Sequence, residues 1–153
     1  MFSDIPANRI YRWTKGEPVT IFREPSGNSN GLTFDEGGSL ITCEHGTRRL
    51  GKVERGGAYT VLADMYWGRR LNSPNDAVVK SDGSIYFTDP PYGIKPDEQE
   101  LEFQGVYRLG PDGQEPTLLV EDFERPNGLA FSPDEGTLYI ADSSERRHVR
   151  AFD

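Results

Sequence analysis

The stretch NDAVVKSDGSIYFTD, residues 75–89, decides the fold, because the chain writes it three times. NGLTFDEGGSLITCE runs from Asn30 to Glu44, and NGLAFSPDEGTLYIAD from Asn127 to Asp142. The copies start 45 and 52 residues apart, and the third is one residue longer in its turn. Each opens on Asn, continues with an apolar run, and turns at a cluster of Asp, Gly, Ser or Pro. Gly can take positive φ there, and Asp can bond its own backbone. A β-rich run then closes each copy on an acid, so each copy reads as a hairpin.

Working outward, each copy is followed by a third run: RRLGKV from Arg48, GVYRL from Gly105 and HVRAF from His148. A fourth run follows twice, YTVLAD from Tyr59 and PTLLVED from Pro116. Four antiparallel strands repeating at this interval are the signature of a β-propeller blade. Phe2, Ser3 and Asp4 match Phe87, Thr88 and Asp89, so the chain starts inside a blade. The expected organisation is all-β: the end of a blade at 1–24, whole blades at 30–64 and 75–122, and the start of a blade at 127–153. A closed propeller needs about four to eight blades. The chain therefore reads as an internal piece of a longer product, and its open blade edges predict self-association.

Composition narrows the function. The 153 residues hold Gly 17 and Pro 11, in keeping with short strands and many turns. The net charge of −8 argues against nucleic acid and anionic membrane surfaces, and favours cations. Cys43 is the only cysteine, which excludes an internal disulfide and a multi-cysteine metal site. No run approaches the roughly 18 apolar residues of a membrane span. MFSDIPANRIYRW lacks the layout of a signal peptide, so the expected compartment is the cytoplasm.

Nucleotide loops and zinc-protease motifs are absent. In a propeller the first strand of every blade lines the central channel, so Asn30, Asn75 and Asn127 converge at one mouth. The plainer reading of Asn before Gly or Asp is turn chemistry that a repeat duplicates. Yet converging amide oxygens are also hard-cation ligands, and calcium accepts them alongside carboxylates and water. His45, just after Glu44, and Tyr92, in the TDPPYG insertion, are candidate pocket-lining residues, with Asp76 beside Asn75. His148, among Arg146, Arg147 and Arg150, reads as a surface residue. Glu44, Asp89 and Asp142 read as strand-ending acids that satisfy backbone amides. The acidic run from Asp97 to Glu102 reads as a solvated excursion.

SDIPANRIYRW from Ser3, CEHGTRRL from Cys43, RLNSPNDAVVKSDGSIYFTDPPYG from Arg70 and RPNGLAFSPDEGTLYIAD from Arg125 resemble the gluconolactonase, senescence marker protein-30 and luciferin-regenerating enzyme family, most nearly its bacterial branch. The resemblance implies a six-bladed propeller with one divalent ion, in most members calcium, at the channel mouth. It implies that Asn127, in the P-N-G-L motif, is a metal ligand. It also implies that Asn75, in the N-D motif, touches metal or substrate. The family's other two ligands are a Glu that would precede Met1 and an Asp, the general base, that would follow Asp153. No catalytic residue is therefore assigned within the chain.

The implied reaction is hydrolysis of a small-molecule sugar lactone to the aldonic acid. The isolated chain is expected to be inactive, since losing a general base costs about 10²–10⁴ in rate. Asn75, Asp76, His45, Tyr92 and Asn30 are the expected substrate contacts. Some animal members carry Arg two residues before the N-D Asn. Here that position is Ser73, so their sugar specificity does not transfer. An arylesterase or organophosphate hydrolase on the same scaffold, or a non-catalytic binding module, are the alternatives.

Overall fold

The computed structural model describes residues 1–153. Its first sheet holds β1 (Phe2–Asp4), β2 (Arg9–Arg12) and β3 (Thr20–Arg23). The second holds β4 (Ser29–Phe34), β5 (Leu40–Glu44), β6 (Arg49–Val53) and β7 (Tyr59–Ala63). A hairpin of β8 (Met65–Tyr66) and β9 (Arg69–Arg70) leads to the third sheet, β10 (Ala77–Val79), β11 (Ile85–Asp89), β12 (Gln104–Leu109) and β13 (Thr117–Phe123). The last sheet holds β14 (Pro126–Phe131), β15 (Leu138–Asp142) and β16 (Val149–Phe152). All pairings are antiparallel between sequence neighbours. β10 lies between β4 and β14, so the first strands of successive sheets stand side by side. The chain is two whole propeller blades flanked by two incomplete ones.

The cores lie between blades. Ile10, Leu40 and Val53 fill the first interface. Ile41, Cys43, Leu50, Phe87, Tyr107 and Leu109 belong to the second, and Val106, Phe123, Leu138 and Ile140 to the third. Leu40 and Ile41 thus face opposite interfaces, as do Val106 and Tyr107. Every residue of β5 is buried. A strand covered on both faces loses its apolar–polar alternation, and LITCE reads as a nearly continuous run for that reason.

Four details depart from expectation. The β8–β9 hairpin is unforeseen; Trp67 and Gly68 take φ of 48° and 73°, the two left-handed positions of a type I′ turn. In the stretched turn after β14 the left-handed residue is Glu135, φ 55°, rather than Gly136. The acidic excursion is exposed over its 3-10 turn (Pro96–Glu98) but pinned beyond it. Leu101 is buried, and Glu100 Oε2 accepts the Arg70 N–H at 2.8 Å. His148 is half-buried rather than fully solvated, and its ring stacks on Phe123.

Candidate functional site

The opening asparagines sit on a recurring β-bulge. Between β4 and β5 the register steps from Ser29↔Glu44 to Leu32↔Thr42. Between β14 and β15 it steps from Pro126↔Asp142 to Leu129↔Ile140. In the middle blade Asn75 N donates to Thr88 O and Thr88 N to Asp76 O, again two residues opposite one, although β10 begins only at Ala77. Bulges re-aim side chains and occur next to active sites.

The asparagine backbone carbonyls are held from the preceding blade. Ser3 Oγ donates to Asn30 O at 2.7 Å, Gly31 N to Asn75 O at 2.8 Å, and Thr88 Oγ1 to Asn127 O at 2.8 Å. Gly31 answers to this approach: a Cβ there would lie 2.5 Å from Asp76 Oδ1 and 2.6 Å from Asn75 O. The Asn-Gly pair, read from sequence as turn chemistry, serves a bulge and a contact between blades. The thiol of Cys43 occupies the position of Ser3 and Thr88, and burial pushes it well above its ordinary value.

With their carbonyls engaged, two of the side chains, those of Asn30 and Asn75, approach His45. Its Nε2 lies 3.5 Å from Asn30 Nδ2 and 3.4 Å from Asn75 Nδ2. His45 and Asn75 are buried, while Asn30 and Asn127 are half-buried. Burial lowers the His45 imidazole below its ordinary value, favouring the neutral ring. The Asn127 side-chain amide bonds to no other protein group, while its backbone carbonyl accepts from Thr88 Oγ1.

Asp76 stands apart from this cluster. Its Oδ1 accepts the Ala77 N–H at 3.0 Å and faces Gly31, and its Oδ2 faces Gly128. Burial raises its carboxyl above the ordinary value, against N–H bonds from Ala77 and Leu129 that pull it down. Tyr92 is exposed at the rim, with the Arg125 guanidinium 6.0 Å from its ring centroid. The adjoining Gly93 donates its N–H to Ser73 Oγ at 2.9 Å and packs against His45. Ser73 is therefore buried and committed to anchoring this loop.

Arg125 escaped the sequence reading. It pairs with no carboxylate, unlike the neighbouring Arg146 and Arg150. The signal was available: Arg125 precedes Asn127 by the interval at which Ser73 precedes Asn75.

Of the strand-ending acids, two behave as expected. Asp89 accepts the N–H groups of Asn72 and Ser73, each at 2.7 Å. Asp142 accepts those of Glu124 at 3.1 Å and Ser144 at 2.7 Å. Glu44, as fully buried as Asp89, differs in its partners: it pairs with Arg23 at 3.0 Å and Arg49 at 2.8 Å.

Amide oxygens from Asn75 and Asn127 suit a hard divalent cation as part of a donor set. They carry no charge, and no group of three or more His, Cys, Asp or Glu gathers in the structure. A groove of about 310 Å³ between the third and fourth sheets is lined by Tyr86, Phe131, Ile140 and Phe152, apart from the asparagine cluster.

A family model described as the SMP-30/Gluconolactonase/LRE-like region matches residues 1–153. The chain is 40% identical to a gluconolactonase of Zymomonas mobilis, an alignment covering 94% of this chain and 45% of that protein. It is 30% identical to a lactonohydrolase of Aspergillus oryzae over 75% of this chain and 29% of that one. The solved structure of a Xanthomonas campestris gluconolactonase superposes with a TM-score of 0.91 at 39% identity, covering 98% of this chain and 52% of its own. The chain thus spans about half the length of these two bacterial gluconolactonases.

Proposed function

The chain belongs to the SMP-30/gluconolactonase/LRE-like family, and on that premise we propose that the whole protein is a divalent-cation-dependent hydrolase opening a sugar lactone to the aldonic acid. One observation supports the reading most. On neighbouring bulges, the Asn75 amide turns its nitrogen to His45, and the Asn127 amide has no protein partner. Their oxygens are thus unengaged where a propeller's first strands meet.

In this reading Asn75 and Asn127 would hold the cation, calcium being the best match to neutral oxygen donors. Its remaining ligands and its counter-charge would come from outside these residues. A bound cation would supply Lewis-acid polarisation of the ester carbonyl. Asn30 would present its amide to substrate hydroxyls. Tyr92 offers an aromatic face to the sugar ring, and Arg125 a cation to the developing carboxylate. Hydrolysis breaks the bond between acyl carbon and ring oxygen: water's hydroxyl goes to carbon and a proton to the departing oxygen. The base that takes water's proton is not assigned to a residue of this chain.

The test is titrimetric assay of the whole protein on gluconolactone, an aryl ester and a phosphotriester, each with and without chelator. Turnover of the lactone above the other two, abolished by chelation and restored by calcium, is the expected result. Faster turnover of the aryl ester or phosphotriester would replace the lactone as substrate. No turnover of any would favour a binding module.

A further inference from the structure

The strongest unexplained feature is the double approach to one ring nitrogen. Asn30 and Asn75 belong to successive blades, yet both amide nitrogens point at Nε2 of His45, at 3.5 and 3.4 Å. An amide nitrogen has only hydrogens to offer. Two such groups facing one imidazole nitrogen require that nitrogen to carry the lone pair, with the ring's proton on Nδ1. Each amide is then fixed about its terminal torsion, nitrogen towards the ring and oxygen away from it. Unheld, either amide could rotate by half a turn and present hydrogens where it now presents oxygen.

The ring is itself fixed. His45 is 7% exposed, and its backbone N–H donates to Asn28 O at 3.3 Å. Gly93 lies so close that a Cβ there would come 2.7 Å from the His45 Cβ. The Gly93 loop is held in turn by the Ser73 hydroxyl at 2.9 Å.

We propose that His45 is a positioning residue that keys the Asn30 and Asn75 amides together, holding both oxygens available to a divalent cation and to ligand hydroxyl groups. The cation part rests on the ligand reading proposed above. A ring that merely filled space would need no lone pair facing the amides, and its volume alone would matter.

Three measurements on the whole protein test this. In the metal-free wild type, nitrogen-15 correlation spectra of the imidazole are expected to show an unprotonated Nε2 and a proton on Nδ1. The opposite tautomer would overturn the proposal, whatever the protein binds. Calcium affinity is then measured by calorimetry in His45→Phe, which keeps a ring without an acceptor, and in His45→Gln, which keeps an acceptor with less volume. Loss of about tenfold or more in His45→Phe is expected, the size typical of losing a ligand's orienting partner. His45→Gln should stay nearer to wild type. The reverse order would show a packing role and end the proposal. Wild-type calcium binding that His45→Phe leaves unchanged would end the proposal alone, whereas a wild type that binds no calcium would end the ligand reading and this proposal with it.

Discussion

Asp89 and Glu44 occupy the same position in successive blades, and one methylene group separates what they do. The shorter carboxylate reaches the backbone N–H groups of Asn72 and Ser73, while the longer one reaches Arg23 and Arg49. Burial pushes the Asp89 carboxyl up to about 7, with those N–H bonds pulling it back only in part. The unfolded carboxyl ionises near about 3.9, so between about pH 4 and 7 the fold keeps a proton the unfolded chain has released. Stability contributed here falls as pH rises through that window. Asp89→Asn should abolish this slope and cost about 1–3 kcal/mol, since an amide has a single acceptor oxygen and leaves one of the two N–H groups facing its own NH2. Urea midpoints at pH 5 and 7 would check it.

Asp142 works in the opposite sense. Burial raises its carboxyl, but hydrogen bonds from Ser144, Glu124 and Arg125 outweigh it and hold the group below its ordinary value. Its contribution is complete above the unfolded value and is lost as pH falls through the folded one. The backbone role of both aspartates was legible from their place at the strand end. That of Glu44 was not, because its partner Arg23 lies on another blade.

At the scale of the element, repetition made the strands legible, and the bulge is what repetition concealed. Asn-Gly predicts a turn on local chemistry, but Gly31 is needed by Asp76 and Asn75 across a blade interface, a contact no local pattern records. Gly31→Ala should open that interface and cost at least about 1 kcal/mol, or roughly 2–4 °C in a domain of this size. A thermal unfolding curve unchanged from wild type would mean that the bulge tolerates a methyl group. The β8–β9 hairpin escaped notice because two-residue strands show no period, and Trp67 rather than Asn holds its first left-handed position. Phe87 shows what the legible strands contribute. It is fully buried and stacks on Tyr107 with centroids 5.2 Å apart. Phe87→Ala should lose about 3–5 kcal/mol by chemical denaturation.

For the whole molecule, the cores and the candidate site both lie between blades. The cores lie at blade interfaces, Glu44 pairs with Arg23 across the first, and His45 faces amides from two blades. β1 and β16 each have a single paired neighbour, where their counterparts in the four-stranded sheets, β5 and β11 for β1 and β6 and β12 for β16, have two. Expressed alone, these 153 residues should therefore associate through exposed strand edges, and a sharp monomer peak on size exclusion would contradict that. The fold was legible because each blade repeats its grammar. Of the candidate site, the asparagines were legible from the repeat, and His45, Asp76 and Tyr92 as pocket candidates beside them. That the His45 ring faces two of the amides was not, because His45 stands outside the repeat unit.

The most direct test of the proposed function is calcium binding and gluconolactone turnover by the whole protein carrying Asn127→Ala. Loss of a ligand whose side chain has no structural partner should weaken calcium binding and depress turnover together, each by at least about tenfold, with thermal stability in chelator unchanged. Calcium affinity equal to wild type would contradict the assignment of the site.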